Sequence, residues 1–145
     1  MKIAIASDHG GFELKQQLIE YFAAKGEILE DLGTCSTDSC DYPDIAKKMA
    51  KNILNNQNEI GILICGTGIG ISIAANRFKG IRAAVLYDDF TAEMTKKHNN
   101  ANVLVFGGRT MKFEDVIRRI EIFTNTEFEG GRHATRIAKI EEGVE

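Results

Sequence analysis

Apolar and polar segments alternate in a regular order along the chain. Short β-branched runs, typical of buried parallel strands, alternate with longer stretches whose apolar residues recur at helical spacing. The runs predict strands at 2–7, 27–32, 60–64, 81–86 and 103–106. Helices are predicted at 12–25, 42–55, from the glycines at 66–70 to about 79–80, at 90–99, at 112–125 and at about 132–142. This alternation predicts a parallel sheet with helices on both faces.

Length, charge and cysteine content restrict the class of protein. A chain of 145 residues with 43% hydrophobic residues is expected to form one domain, 1–145. The net charge of −3 predicts no nucleic-acid partner, and no apolar run approaches the ~20 residues needed to cross a membrane. The amino terminus is expected to form a strand rather than a signal peptide. Three cysteines are too few and odd in number for a disulfide framework, so we expect a reducing, cytoplasmic location.

The main candidate for chemistry follows the third predicted strand. Gly66, Gly68 and Gly70 separate Cys65 from the next helix. Glycines let backbone N–H groups crowd around an anion, while a helix amino terminus adds partial positive charge and favours a thiolate. We therefore expect a cysteine base or nucleophile beside an anion-stabilising loop. The segment is neither a dinucleotide fingerprint nor a Walker loop. A turn whose glycines serve only close packing is the alternative.

Further candidates come from strand ends and helix ends. Asp8 and His9 follow the first strand, where sites of α/β proteins are built, although Asp8 could simply cap a turn. Tyr42 precedes the second helix and could reach over the same crevice. His98 ends a helix within an Asn-rich cluster that could hold sugar hydroxyls, or it could be a solvated helix end.

The last predicted helix carries a basic stripe. Arg132, Arg136 and Lys139 recur at helical spacing after a double glycine. Two arginines one turn apart suit a phosphate or a carboxylate, although a solvated basic face is the commoner case. Cys35 and Cys40 lack the spacing of a zinc site, and we interpret them as incidental.

These segments together resemble the ribose-5-phosphate isomerase B family, within a wider group that includes galactose-6-phosphate and allose-6-phosphate isomerases. The resemblance covers almost the whole chain, in order. Its pieces are Ser7-Asp8-His9-Gly10-Gly11, Asp41-Tyr42-Pro43, the segment from Ile64 to Asn76, His98-Asn99-Asn100-Ala101-Asn102, Gly107-Gly108-Arg109 and Gly130-Gly131-Arg132-His133.

The resemblance implies a fold and a reaction. The fold would be a three-layer α/β/α sandwich with a Rossmann-like sheet of five parallel strands in the order 2-1-3-5-4. The reaction would interconvert D-ribose 5-phosphate and D-ribulose 5-phosphate through an enediolate, in the non-oxidative branch of the pentose phosphate pathway, with no metal and no cofactor.

The resemblance also implies roles for individual residues. Cys65 would carry the proton between C1 and C2 of the sugar. His98 would act as the acid that opens the furanose ring, with assistance from Asp8. Enediolate stabilisation would fall to Thr67 and the backbone N–H groups of Gly66, Gly68, Ile69 and Gly70. Phosphate would be bound by His9, Arg132 and Arg136. The substrate site would be completed by Tyr42, Asn99 and Arg109.

The resemblance leaves the sugar and the assembly open. Family members form homodimers or tetramers whose active sites draw on two subunits, so the last helix is expected to reach toward a partner. Allose 6-phosphate or galactose 6-phosphate is an alternative substrate. A non-enzymatic sugar-phosphate binding module is the competing class, although binding alone has no need of an acid and a base.

Overall fold

The computed structural model describes residues 1–33 and 38–143. Within that part of the chain, five strands form one parallel sheet. They are β1 (Ile3–Ser7), β2 (Glu30–Asp31), β3 (Ile60–Cys65), β4 (Ala83–Val85) and β5 (Val103–Gly107). Their order is β2-β1-β3-β5-β4, which confirms the predicted topology.

Six α-helices surround the sheet in the described residues. They are α1 (Phe12–Ala24), α2 (Tyr42–Leu54), α3 (Ile69–Ala75), α4 (Asp89–Lys97), α5 (Phe113–Thr124) and α6 (Arg132–Glu142). None of these helices has the length and apolar character required to cross a bilayer.

Two apolar clusters, one on each face of the sheet, produce the predicted three layers. On one face, α1 and α5 pack on isoleucines of β1 and β3 and on Leu104 and Phe106. On the other face, α2 and α3 pack on Ala4, Ala6 and Leu63. The central strands are buried on both sides, as their nearly continuous apolar runs require.

Both edge strands are shorter than predicted. β2 begins at Glu30, opposite Ala4, and in this register residues 27 and 28 lie beyond the start of β1 at Ile3. β4 begins at Ala83. The preceding Arg82 N–H donates instead to the side chain of Asn102, at 2.8 Å.

Helix α3 also ends earlier than predicted, at Ala75 rather than near residue 79. Asn76 follows as its cap, and the side-chain amide of Asn76 both donates to and accepts from the backbone of Ala83, each at 2.8 Å. Side-chain bonds to the backbone of this kind compete with continued helix. They tie the end of α3 to the start of β4.

A buried charge secures the short edge strand β2. The Lys15 side chain is fully buried, and its ammonium donates to both carboxylate oxygens of Asp31 at 2.8 Å. Asp31 also accepts from the N–H of Gly33 at 2.9 Å. The pair therefore connects α1 to a strand that has only two residues of its own.

We expect Asp31→Asn to lower the free energy of unfolding by about 1.5–3 kcal/mol, because it removes a charge-assisted partner of a buried ammonium. Urea denaturation of the intact chain measures this. Glu20→Gln, on the exposed side of α1, is the matched control and should change stability by less than about 0.5 kcal/mol. Equal stability of the two variants would contradict the assignment.

Candidate functional site

Three turns meet at the carboxyl edge of the sheet, where β1, β3 and β5 end. Ser7 pairs with Ile64, and Cys65 pairs with Gly107, so the strand ends lie side by side. The strand order reverses between β1 and β3, and α/β proteins bind ligands in the crevice at such a point. The structure therefore places the predicted glycine turn at the expected position in the sheet.

Backbone contacts lock these turns together. Gly108 N–H donates to Cys65 O at 2.7 Å, and Arg109 N–H donates to Gly66 O at 2.9 Å. A side chain at Gly108 would place its Cβ 2.5 Å from the carbonyl oxygen of Gly10. Close packing is thus a real role of several glycines here, in addition to any role in binding.

Cys65 lies at the centre of this edge. Its side chain is buried, and its sulfur accepts a hydrogen bond from Gly68 N–H at 3.2 Å. Gly68 has a φ of +86°, a left-handed conformation that favours glycine and that turns its N–H toward the sulfur. The thiol therefore faces a backbone donor at the amino end of α3.

One further backbone N–H group of the glycine turn forms a hydrogen bond within the turn. Ile69 N–H donates to the hydroxyl of Thr67 at 3.2 Å. Thr67 itself is exposed at the mouth of the turn. The ring of Tyr42, at the start of α2, lies close against Gly70, where an added Cβ would come within 2.8 Å of it. Tyr42 thus covers one side of the turn.

Asp8 and His9 lie on the other side of the crevice. Asp8 is buried and accepts from Gly10 N–H at 2.9 Å, so its carboxylate caps its own turn. His9 Nδ1 accepts from Cys40 N–H at 3.3 Å, which leaves Nε2 to carry the proton in the neutral ring. A cleft of about 290 Å³ is lined by His9, Gly10, Glu13, Leu14, Gly108 and Arg109. We term the ten residues on this side of the sheet the carboxyl-edge group: Asp8, His9, Tyr42, Cys65 to Gly70, and Arg109.

The other predicted site residues lie at the opposite end of the strands, near the amino-terminal end of β5. His98 caps the end of α4 and precedes the first residue of β5, whereas Cys65 pairs with the last residue of β5. The length of β5 alone separates these edges by about 13 Å. The described chain therefore does not bring His98 or Asn99 to Cys65.

His98 has partners that the sequence interpretation missed. Its ring stacks on that of His133, with centroids 4.2 Å apart and an interplanar angle of 12°. Glu129 Oε1 lies 3.7 Å from His98 Nε2 and 3.4 Å from His133 Nε2. The i, i+4 spacing of Glu129 and His133 was the available signal, but nothing in the pattern linked it to His98.

The arginines of α6 surround this cluster. Arg132 and Arg136 are exposed, and both raise the positive potential at His133. Asn99 is also exposed. The side chain of Asn102 accepts a hydrogen bond from Arg82 N–H and donates one to Gly80 O. We term this second set the amino-edge group: His98, Asn99, Glu129, Arg132, His133 and Arg136.

The sheet order and the thiol-bearing turn at its reversal point define an α/β protein with a small-molecule site. The chain belongs to the ribose/galactose isomerase family, whose model matches residues 3–140.

Individual relatives agree with this membership. A Rickettsia bellii protein that carries only the general name of sugar phosphate isomerase is 52% identical over 139 residues, which cover 96% of each chain. A ribose 5-phosphate isomerase from Thermotoga maritima has a structure with a TM-score of 0.95, 52% identity and 97% coverage of both chains. The Mycoplasma genitalium ribose-5-phosphate isomerase B, solved with bound ribulose-5-phosphate, gives a TM-score of 0.91 and 41% identity, covering 97% of this chain and 94% of that one.

The environment of His133 predicts a pH dependence of stability. Burial lowers the pKa of His133, and the charges of His98 and Arg132 lower it further, against the opposing effect of Glu129. The folded chain then binds fewer protons than the unfolded chain between this lowered pKa and the ordinary value of 6.5. The free energy of unfolding should therefore fall as pH decreases through that window.

Urea denaturation between about pH 5 and pH 7.5 checks the sign of this slope. His133→Gln should flatten it, because glutamine does not titrate, and His9→Gln controls for the loss of a histidine elsewhere. An undiminished slope in His133→Gln would show that another group is responsible.

Proposed function

We propose that the chain interconverts D-ribose 5-phosphate and D-ribulose 5-phosphate. The observation that carries this proposal is the buried Cys65 thiol, which accepts a hydrogen bond from Gly68 N–H in the crevice of the sheet. A binding module has no need of a buried thiol at that point, whereas an isomerase needs a base beside donors that stabilise an oxyanion. The names of the Thermotoga and Mycoplasma relatives support ribose as the sugar.

The proposed chemistry moves one carbon-bound proton and one hydroxyl proton. The Cys65 thiolate removes the proton from C2 of the open-chain aldose, and the C1 oxygen becomes the oxyanion of the enediolate. Thr67 and the backbone donors of the glycine turn stabilise this negative charge. The thiol then returns the proton to C1 while the proton of the C2 hydroxyl passes to the C1 oxygen, which leaves a carbonyl at C2 and a hydroxyl at C1.

The amino-edge group supplies the remaining functions in this proposal. His98 protonates the ring oxygen as the furanose opens, and Asp8 takes part in the accompanying transfer from the C1 hydroxyl. Arg132 and Arg136 hold the phosphate together with His9, since guanidinium groups match phosphate geometry. Asn99, Arg109 and Tyr42 contact the rest of the sugar.

The roles proposed for the carboxyl-edge and amino-edge groups require two copies of the chain. Because the carboxyl-edge and amino-edge groups lie at opposite edges of one sheet, a partner subunit has to bring its amino-edge group to Cys65. We therefore propose a homodimer with two shared sites. Higher assembly to a tetramer is compatible with the same pair.

Helix α3 provides the surface for such a dimer. It starts at the glycine turn, ends at Ala75 with Asn76 as its cap, and exposes Ile69 by 59% and Ile73 by 55%. Asn76 and Asn99 line a common cleft of about 320 Å³, which also includes the exposed Ile140 of α6. Packing two copies of α3 antiparallel across a two-fold axis would place the start of one beside the end of the other. Each Cys65 would then face the partner's amino-edge group.

We expect Cys65→Ala to lower kcat for ribose 5-phosphate by about 10²–10⁴-fold, because it removes the proposed base. The matched control is Cys40→Ala, which should stay within about twofold, since Cys40 contacts His9 through its backbone N–H. Turnover of ribose 5-phosphate and allose 6-phosphate by the purified protein measures both effects. Full activity in Cys65→Ala would refute the thiol base. A preference of the wild type for allose 6-phosphate would refute the assigned sugar.

Mixing two inactive variants tests the shared site. After subunit exchange, a dimer of one Cys65→Ala chain and one His98→Ala chain has one intact site and one doubly altered site. Equal mixing should restore about a quarter of wild-type activity, because half of the dimers are mixed and each has one working site of two. If both residues acted within one chain, mixing would restore none.

A further inference from the structure

Three potential metal ligands meet where α4 ends and α6 begins. One ring nitrogen of His98, one ring nitrogen of His133 and a carboxylate oxygen of Glu129 all lie within 4.8 Å of one another, and no other such group occurs in residues 1–33 and 38–143. The two nitrogen–oxygen distances, 3.7 and 3.4 Å, are longer than good hydrogen bonds. The carboxylate oxygen is thus shared between two imidazoles without a short bond to either.

These distances suit an ion between the three atoms. With bonds of about 2.0–2.1 Å and tetrahedral angles, zinc ligands lie about 3.3 Å apart. The distance of 3.4 Å between Glu129 Oε1 and His133 Nε2 already matches this ligand–ligand distance. The distance between Glu129 Oε1 and His98 Nε2 exceeds it by a few tenths of an ångström. The two stacked rings, with centroids 4.2 Å apart and an interplanar angle of 12°, have to rotate out of this stack so that both nitrogen lone pairs point at the same ion.

We propose that His98, Glu129 and His133 form a binding site for a divalent transition-metal ion such as Zn²⁺. Two imidazoles and one carboxylate are a ligand set that zinc uses in proteins with an open fourth position. The His98 and Glu129 side chains are 39% and 49% exposed, so water can complete the coordination. Mg²⁺ and Ca²⁺ prefer oxygen ligands and should not compete.

The surrounding charges limit the affinity of this site for a metal cation. Arg132 and Arg136 lie near His133 and repel a cation, whereas Glu129 supplies the negative charge within the cluster. The ligands come from the end of α4, the loop before α6 and the first turn of α6, and Glu129 N–H ties this loop to α4 by donating to Lys97 O at 3.1 Å. All three ligands therefore belong to a single chain, and the site does not depend on the dimer.

Metal at this position would inhibit the enzyme. Coordination occupies Nε2 of His98, the atom that delivers the proton to the ring oxygen, a consequence that rests on the proposed function. The site would thus be inhibitory rather than catalytic. Zinc binding itself stands independently of the reaction.

Calorimetric titration of the intact protein with Zn²⁺ tests the binding. We expect one ion per chain, with affinity reduced by about tenfold or more in Glu129→Gln and in His133→Ala. The matched controls are Glu127→Gln, an exposed carboxylate two residues away, and His9→Ala, the third histidine of the chain. Both should bind as the wild type does. Cys35→Ala, Cys40→Ala and Cys65→Ala exclude thiolate as the ligand if all three also bind normally.

Imidazole nitrogen NMR identifies the ligands directly. Zn²⁺ should shift the signals of His98 and His133 and leave those of His9 in place. Perturbation of His9 alone, loss of binding in a cysteine variant, or unchanged affinity in Glu129→Gln and His133→Ala would each overturn the proposal.

An activity measurement tests inhibition by zinc separately from zinc binding. Zinc should inhibit wild type and Glu127→Gln reversibly, with recovery on addition of EDTA, and inhibit Glu129→Gln only at about tenfold higher concentration or more. Binding without inhibition would refute the consequence for His98 while leaving the metal site intact. Absence of any isomerase activity would refute the proposed function, and calorimetry would still decide the site.

Discussion

Close backbone packing at the carboxyl edge of the sheet is the constraint on which the site depends. Gly108 lies against the carbonyl of Gly10, and its N–H bonds to Cys65 O, so the turns after β1, β3 and β5 share one rigid layer. Side chains at these positions would force the turns apart. The position of the Cys65 sulfur relative to the Gly68 N–H therefore depends on glycines that never contact it.

Much of the fold could be predicted from the sequence because local and global signals agree. Apolar runs specify β1, β3 and β5, which are buried on both faces, and amphipathic spacing specifies the helices. The edge strands were predicted too long, because their ends are set by register and by the side-chain bonds of Asn76 and Asn102. Such long-range constraints leave no periodic trace in a sequence.

The position of the carboxyl-edge group could be predicted from the sequence, whereas the position of His98 could not. Asp8 and Cys65 lie at the ends of strands and Tyr42 lies at the start of a helix, and such positions lie on the same side of a parallel sheet. His98 lies near β5 in sequence, yet the length of that strand places it at the far edge. The contact between His98, Glu129 and His133 depends on how α6 returns to the end of α4, which spacing alone does not encode.

The short edge strands have a consequence for how copies of this chain can meet. In the described residues, β2 has two residues and β4 has three, so neither strand offers a run of unpaired backbone groups long enough to template another strand. A contact between copies of the chain would then be made through side chains, such as those of the helices. Backbone pairing is indifferent to sequence, whereas side-chain packing is selective. A fold that closes its edges in this way lets assembly change by single substitutions, without exposing the sheet to indiscriminate aggregation.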